Sequence, residues 1–258
     1  MKKEKKKHTT LKIVLLIIGI ILAVAIALIA YLVAKDLEQE KILKKEIVNL
    51  ANQELLTDDY SIEVKTTGDY AYIEEAVKKF YKELSDNIKT MNQYLTDEQL
   101  ISVLSAENLQ ADGPNFKNSY QIIENARKNS TAALQNIANL CDEEAIKNLI
   151  DKEKVDDYYY DLYIELMYTE EDIKTFKETK VQMEELATNL NLFLDKVTEM
   201  LNMLERNSGS WYIENGQLYF STDALVTEYN TLYNELNQIV TEKFTNQGTT
   251  QQQTSNNI

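Results

Sequence analysis

The chain has 258 residues with one proline and six glycines, enough for one sizeable domain but too few turn residues for an all-β fold, so a predominantly helical, all-α fold is predicted. Its formal net charge is −15, and residues 1–12 hold six lysines and one glutamate, a net +5, so the remainder carries −20. A domain this acidic excludes nucleic acid as a partner. Arginine occurs only at Arg127 and Arg206, whereas Lys, Asn, Ile and Tyr are abundant, which is typical of an AT-rich bacterial genome.

The first predicted element is a transmembrane helix over residues 13–34. This run of about 22 uncharged, apolar residues follows the basic segment MKKEKKKHTTLK and is long enough to span a hydrocarbon core of about 30 Å. A cleaved signal peptide is the alternative, because the stretch AVAIALIA is rich in alanine. Its apolar core would be about 7–15 residues, shorter than the run seen here. The lipid bilayer is therefore the predicted partner of residues 13–34.

The placement of lysines predicts the orientation of this helix. Residues 1–12 form a basic tail, while the flank beyond residue 34 mixes lysines with acidic residues. Because lysines are retained on the cytoplasmic side, the N-terminus is expected in the cytoplasm and the C-terminal domain outside the membrane.

A helical stalk is predicted over residues 35–58, where Leu43, Ile47 and Leu50 recur at helical spacing without glycine or proline. The following residues 60–65 alternate apolar and polar side chains, which indicates a short strand or an extended linker.

A helical domain is predicted over residues 59–244. Its first long helix begins at Asp69; a short helix follows, with Thr96 and Gln99 as a capping box, and a second long helix covers about 115–140. The longest helix begins with Thr169 and Asp172 as a cap and ends at RNSGS, and a final helix is capped by Ser221 or Thr222. Four long helices with one apolar stripe each predict a helical bundle. Residues 245–258, rich in Gln, Thr and Asn, are predicted to be disordered.

Residues that carry catalysis are few, so the chain is predicted not to be an enzyme and to need no cofactor or metal. The only histidine is His8, in the basic tail, so no histidine-based catalytic or metal site is expected in the domain. Cys141 ends an apolar stripe and is interpreted as a small core residue. Acidic pairs such as Glu143 and Glu144 leave carboxylate-only glycoside hydrolysis as an alternative, but solvated helix surfaces explain them better.

The segment DDYYYDLY places Tyr158, Tyr159 and Tyr160 among aspartates. Tyrosine offers apolar area with a polar tip, so this cluster is a candidate partner-binding site for sugar, peptide or a cation. The alternative, which the tyrosine content of the whole chain favours, is a helix whose aromatic face packs on the bundle.

A β-hairpin is predicted near residues 211–220, because Asn215 and Gly216 suit the centre of a type I′ turn. This register pairs Trp211 with Phe220 and Tyr212 with Tyr219, so Trp211, Ile213, Leu218 and Phe220 share one face. The apolar face is expected to pack on the end of the bundle, beside a strand from residues 60–65. The alternative is an arm that binds a partner through Trp211, Tyr212 and Tyr219.

These patterns together predict a single-pass membrane protein of a bacterial cell envelope. Its extracytoplasmic helical domain would act as an interaction or structural module, through an envelope protein partner or self-association. The alternative is a ligand-sensing or regulatory subunit. Because about a dozen cytoplasmic residues cannot hold an output module, such a subunit would work through a membrane partner.

Overall fold

A computed structural model describes residues 38–168 and 170–245, and over these residues the protein is predominantly helical and bundle-like, with one two-stranded sheet. The helices are α1 (Glu38–Ala51), α2 (Asp69–Leu95), α3 (Glu98–Ile101), α4 (Ala106–Asp112), α5 (Lys117–Leu140), α6 (Glu143–Lys147), α7 (Asp157–Met167), α8 (Glu170–Arg206) and α9 (Asp223–Ile239). A 3-10 turn covers Lys152–Lys154, and a π-helical segment, Val240–Thr245, continues from α9. The strands are β1 (Trp211–Glu214) and β2 (Gln217–Phe220).

Several predictions fall outside this part of the chain. The basic tail, the transmembrane segment 13–34 and the Thr169 cap lie outside the described residues, as does all but the first residue of the tail 245–258. Within the described residues, none of the helices combines the length and the apolar character needed to cross a membrane.

The described residues divide into two compact units. One, called here the hairpin unit, comprises 91–132 and 186–245; the other, the ion-cluster unit, comprises 38–90 and 133–185. The division falls within α2, α5 and α8, so each of these helices supplies residues to both units.

The long helices bury the apolar stripes that the sequence predicts. The buried stripe positions include Ile73, Val77, Phe80, Leu84 and Ile88 of α2, Ile123, Ala126, Ala133 and Ile137 of α5, and Phe176, Met183, Leu190, Val197, Met200 and Leu204 of α8. Helix α9 differs, because only Leu232 and Leu236 of its predicted stripe are buried.

Helix α1 packs within the ion-cluster unit. Leu43, Ile47 and Leu50, which were assigned to a stalk, are at most 5% exposed. These residues of the predicted stalk therefore belong to the folded core.

Caps begin the shorter helices. The side chains of Ser105, Asp142 and Thr222 accept backbone N–H groups at the first turns of α4, α6 and α9, which confirms the Thr222 cap. The predicted Thr96 cap is wrong. Asp97 caps α3 by accepting the Gln99 N–H at 2.8 Å, whereas the Thr96 hydroxyl donates to the Asn92 carbonyl and so turns back toward α2.

Residues 60–65 form no strand, and the sheet contains only β1 and β2 among the described residues. The strand alternative for this segment, and its pairing with the hairpin, are therefore wrong. Side chains occupy backbone groups of this segment that a neighbouring strand would need. The Lys65 N–H donates to the Glu74 carboxylate, and the Glu63 carbonyl accepts the Lys78 ammonium.

Candidate partner-binding surface

The hairpin forms with the predicted register. Trp211 lies opposite Phe220, and Tyr212 lies opposite Tyr219. Asn215 and Gly216 have φ angles of 51° and 73°, and positive values at both central positions define a type I′ turn. The two faces separate as predicted, with Trp211, Ile213, Leu218 and Phe220 half-buried and the alternate residues exposed.

The inner face of the hairpin is anchored mainly by Trp211. Its indole N–H donates to the Leu204 carbonyl at 2.8 Å, and its ring stacks on Phe116 with 5.9 Å between ring centroids. On β2, the Phe220 ring contacts Tyr229 of α9 at 5.3 Å. Trp211 is one of the six predicted partner-binding residues, and these contacts attach the hairpin to the helices of its own unit.

The turn between α4 and α5 shapes the surface on which Trp211 rests. A Cβ atom at Gly113 would lie 2.6 Å from the Leu109 carbonyl oxygen and 3.0 Å from Trp211 Cη2. Phe116, fully buried, has a φ of 45°, and the Asp112 carboxylate accepts the Ser119 N–H and hydroxyl, both at 2.7 Å, at the start of α5. A side chain at position 113 would therefore press on the Leu109 backbone and on the edge of the indole ring.

The outer face of the hairpin carries Tyr212, Glu214, Gln217 and Tyr219, called here the tyrosine face. Tyr212 is 54% exposed and Tyr219 is 37% exposed, and their rings stack at 5.4 Å with an angle of 15°. The Tyr219 hydroxyl donates to Gln217 Oε1 at 2.8 Å. Two of the predicted partner-binding residues thus form one exposed aromatic surface.

Helix α9 carries a further exposed tyrosine in the hairpin unit. Tyr233 is 42% exposed and stacks on Tyr229 at 6.5 Å between ring centroids. Val226 of the same helix is 39% exposed. The sequence analysis identified neither Tyr233 nor Val226 as a surface residue. In the sequence, Val226, Tyr229 and Tyr233 follow one another at intervals of three and four residues. This spacing places them on one face of the helix, but it fits a buried face as well as an exposed one.

The second predicted cluster, Tyr158, Tyr159 and Tyr160, lies on α7 in the ion-cluster unit. The Tyr159 ring meets Tyr70 edge-on at 5.0 Å, and the Lys152 ammonium lies 4.8 Å from the centre of the Tyr160 ring. Tyr159 and Tyr160 are half-buried, whereas Tyr158 is exposed. The cluster therefore packs partly on its own unit and already contacts a cation of the chain.

A buried ion cluster, which the sequence analysis missed, joins α1, α2 and the loop between them. The Lys78 ammonium lies 2.6 Å from Glu74 Oε1 and 3.0 Å from Glu46 Oε2, and it donates to the Glu63 carbonyl. Lys65 also pairs with Glu46, at 2.9 Å. The four side chains carry two positive and two negative charges. The charges of the cluster therefore compensate one another, which suits a structural role.

The carboxylates of this cluster have pKa values below the usual 4.5. Burial alone would raise the pKa of Glu74, but hydrogen bonds from Lys78, from Thr66 and from the Lys65 backbone outweigh it and lower the pKa. For Glu46, burial likewise opposes the shift, and hydrogen bonds from Lys65 and Lys78 lower the pKa. Both carboxylates are thus held in the ionised form.

Cys141 has the environment of a core residue. It is buried, and burial raises the pKa of its thiol to about 12 against the opposing influence of Lys180. A thiol with this pKa forms little thiolate near neutral pH, so it is a poor nucleophile.

The described residues contain no group of three or more His, Cys, Asp or Glu placed to hold a metal ion. An open depression in the ion-cluster unit is lined by Val64, Gly68, Tyr72, Glu75 and Lys154.

Comparison of the chain with protein-family models, with curated proteins and with solved structures found no match.

Proposed function

We propose that this protein is a single-pass membrane protein of a bacterial cell envelope whose helical domain lies outside the cytoplasmic membrane and acts by binding. The observation that carries this proposal is the uncharged run of residues 13–34 behind six lysines. The two flanks of the run support the orientation, because residues 1–12 hold six lysines and one acidic residue, whereas the flank beyond residue 34 mixes lysines with acidic residues.

Binding, rather than catalysis, is supported by the surface of the hairpin unit. The tyrosine face presents two stacked, exposed rings on a hairpin whose other face is anchored by Trp211. Exposed, rigid aromatic residues are typical of protein interaction surfaces. The chain beyond residue 12 has no histidine, and its one thiol is buried with a raised pKa.

The topology is tested by cysteine labelling of intact cells. Two variants differ only in the site of an added thiol, Thr9→Cys in the basic tail and Ser208→Cys at an exposed position before β1. A membrane-impermeant maleimide is expected to label Ser208→Cys in intact cells and Thr9→Cys only after lysis. The unmodified chain is the control, because its buried Cys141 should react slowly in both conditions.

Labelling of Thr9→Cys in intact cells, with Ser208→Cys protected, would show the opposite orientation. Recovery of the labelled domain in the medium, shortened by the length of residues 1–34, would show that the N-terminal segment is a cleaved signal peptide. The first result contradicts the proposed extracytoplasmic location of the domain, and the second contradicts its membrane anchorage.

A further inference from the structure

The tyrosine face is a preorganised surface. Trp211 fixes the inner face of the hairpin through one hydrogen bond and one ring stack, and the type I′ turn fixes the register. The rings of Tyr212 and Tyr219 therefore have little freedom to lose when a partner binds, and this lowers the entropic cost of association.

The ring stack by itself has a structural explanation, since cross-strand aromatic pairs stabilise hairpins. That explanation does not require the rings to be exposed, yet Tyr212 and Tyr219 keep 54% and 37% of their surface open. The face also carries Glu214, which is the diagonal neighbour of Tyr219 in this register.

The segment that carries the tyrosine face is acidic. Residues 211–245 contain a single basic residue, Lys243, and the acidic residues Glu214, Asp223, Glu228, Glu235 and Glu242. Glu228 and Glu235 already pair with Arg206 and Lys196. Among the residues that the structure describes, Glu214 has no salt-bridge partner, so the carboxylate beside the rings is open to a cation from another molecule.

We propose that the tyrosine face binds an arginine-bearing, basic segment of a partner protein, an inference that rests on the proposed function and names the chemistry of its partner. A guanidinium group can stack on a tyrosine ring through its planar face and donate two hydrogen bonds to a carboxylate from its edge. The stacked rings and the Glu214 carboxylate provide both elements on one strand pair. A lysine ammonium is more strongly hydrated and lacks the planar face, so it should bind less tightly.

The test measures peptide binding to the full-length chain in a non-ionic detergent by fluorescence anisotropy. The probes are three fluorescein-labelled peptides of the same length, in which Gly and Ser separate four arginines, four lysines or four glutamates. The arginine peptide is expected to bind, the lysine peptide to bind more weakly and the glutamate peptide not to bind. Added salt should weaken binding, because exposed charges are screened.

Matched variants locate the site. Glu214→Gln and Glu83→Gln each remove one exposed negative charge, the first on the tyrosine face and the second on α2. Tyr212→Leu and Tyr158→Leu each remove one exposed ring, on the hairpin and on α7. Each hairpin variant should weaken binding of the arginine peptide by about two- to fivefold, while each control leaves it unchanged. Unchanged Trp211 emission is expected in every variant and checks that the hairpin stays folded.

Three results would overturn the inference. Equal effects of Glu214→Gln and Glu83→Gln would show a non-specific charge effect. A second such result is that the chain binds a neutral wall oligosaccharide instead of the arginine peptide, and that Glu214→Gln does not change oligosaccharide binding. This would assign the face to glycan. A dimer of the full-length chain in sedimentation that Tyr212→Leu dissociates would assign it to a second copy. The peptide result is independent of the maleimide labelling, so the inference and the proposed topology can fail separately.

Discussion

At the residue scale, Lys78 and Glu74 form a buried ion pair in which each charge is compensated by the other. Both are at most 2% exposed, and each provides the nearest opposite charge of the other. A buried ion pair contributes little compared with an apolar pair of the same volume, but removing one partner leaves an uncompensated charge in the core. The cluster therefore makes folding sensitive to either residue.

Glu74→Gln is expected to destabilise the protein by about 3–5 kcal/mol, because the cluster then holds two lysines against Glu46 alone and one positive charge is uncompensated. The matched control is Glu75→Gln at the next position, which is exposed and should change stability by less than about 0.5 kcal/mol. Urea unfolding followed by circular dichroism measures both. Equal stability of the two variants would contradict a structural role for the cluster.

The same cluster predicts how stability depends on pH. Because the pKa values of Glu46 and Glu74 are lower in the folded protein than the usual 4.5, their contribution is fully present above pH 4.5. It should be lost as the pH falls from 4.5 through the lower folded-state values. Urea unfolding midpoints measured at a series of acidic pH values should show a smaller loss for Glu74→Gln than for the unaltered chain. An unchanged acid dependence in this variant would show that other carboxylates dominate.

At the element scale, the hairpin and the corner between α4 and α5 form one packed feature. A Cβ atom at residue 113 would lie 3.0 Å from Trp211 Cη2, and the Trp211 ring stacks on Phe116 just beyond that glycine. The hairpin turn depends on glycine for another reason, since Gly216 has a φ of 73° and open space around it. The two glycines therefore respond to substitution through different physical effects.

Gly113→Ala is expected to destabilise the protein by about 1–3 kcal/mol, because its Cβ would press on the Leu109 carbonyl and displace the indole. Gly216→Ala should cost about 1 kcal/mol from backbone strain alone. Trp211 is the only tryptophan, so its emission reports on this corner. The emission should shift to the red in Gly113→Ala and stay unchanged in Gly216→Ala. Unchanged emission and stability in Gly113→Ala would contradict the packing described here.

At the scale of the whole molecule, the described fold begins earlier in the chain than the domain predicted from sequence. Helix α1 buries Leu43, Ile47 and Leu50, and its Glu46 pairs with Lys65 and Lys78. These contacts make residues 38–58 part of the ion-cluster unit.

A fragment of residues 38–245 is expected to fold cooperatively, with circular dichroism dominated by helix. A fragment of residues 59–245 loses the partners of the buried α1 contacts, so its thermal midpoint should be lower by at least several degrees. Thermal unfolding followed by circular dichroism compares the two. Equal midpoints would show that α1 contributes nothing to stability and behaves as a stalk.

The features of this fold that could be predicted from the amino-acid sequence are local. The long amphipathic helices follow from apolar residues at three- and four-residue spacing. The Thr222 cap follows from a hydroxyl close to the backbone of the next turn, and the hairpin register follows from the Asn215–Gly216 turn. Each of these signals involves residues close together in the chain. For this reason the faces of the hairpin could be predicted before any tertiary contact was known.

The tertiary structure alone decided which residues these elements meet. Lys78 and Glu46 are separated by 32 positions, so nothing in either helix marks them as partners. In the segment 60–65, where a strand was one alternative, the Lys65 N–H donates to Glu74 and the Glu63 carbonyl accepts Lys78, so side chains of α2 take the place of strand partners. Helix α9 left Tyr233 exposed although its spacing also fits a buried stripe. Periodicity shows that a helix has an apolar face, but the exposure of each residue depends on neighbours that are distant in sequence.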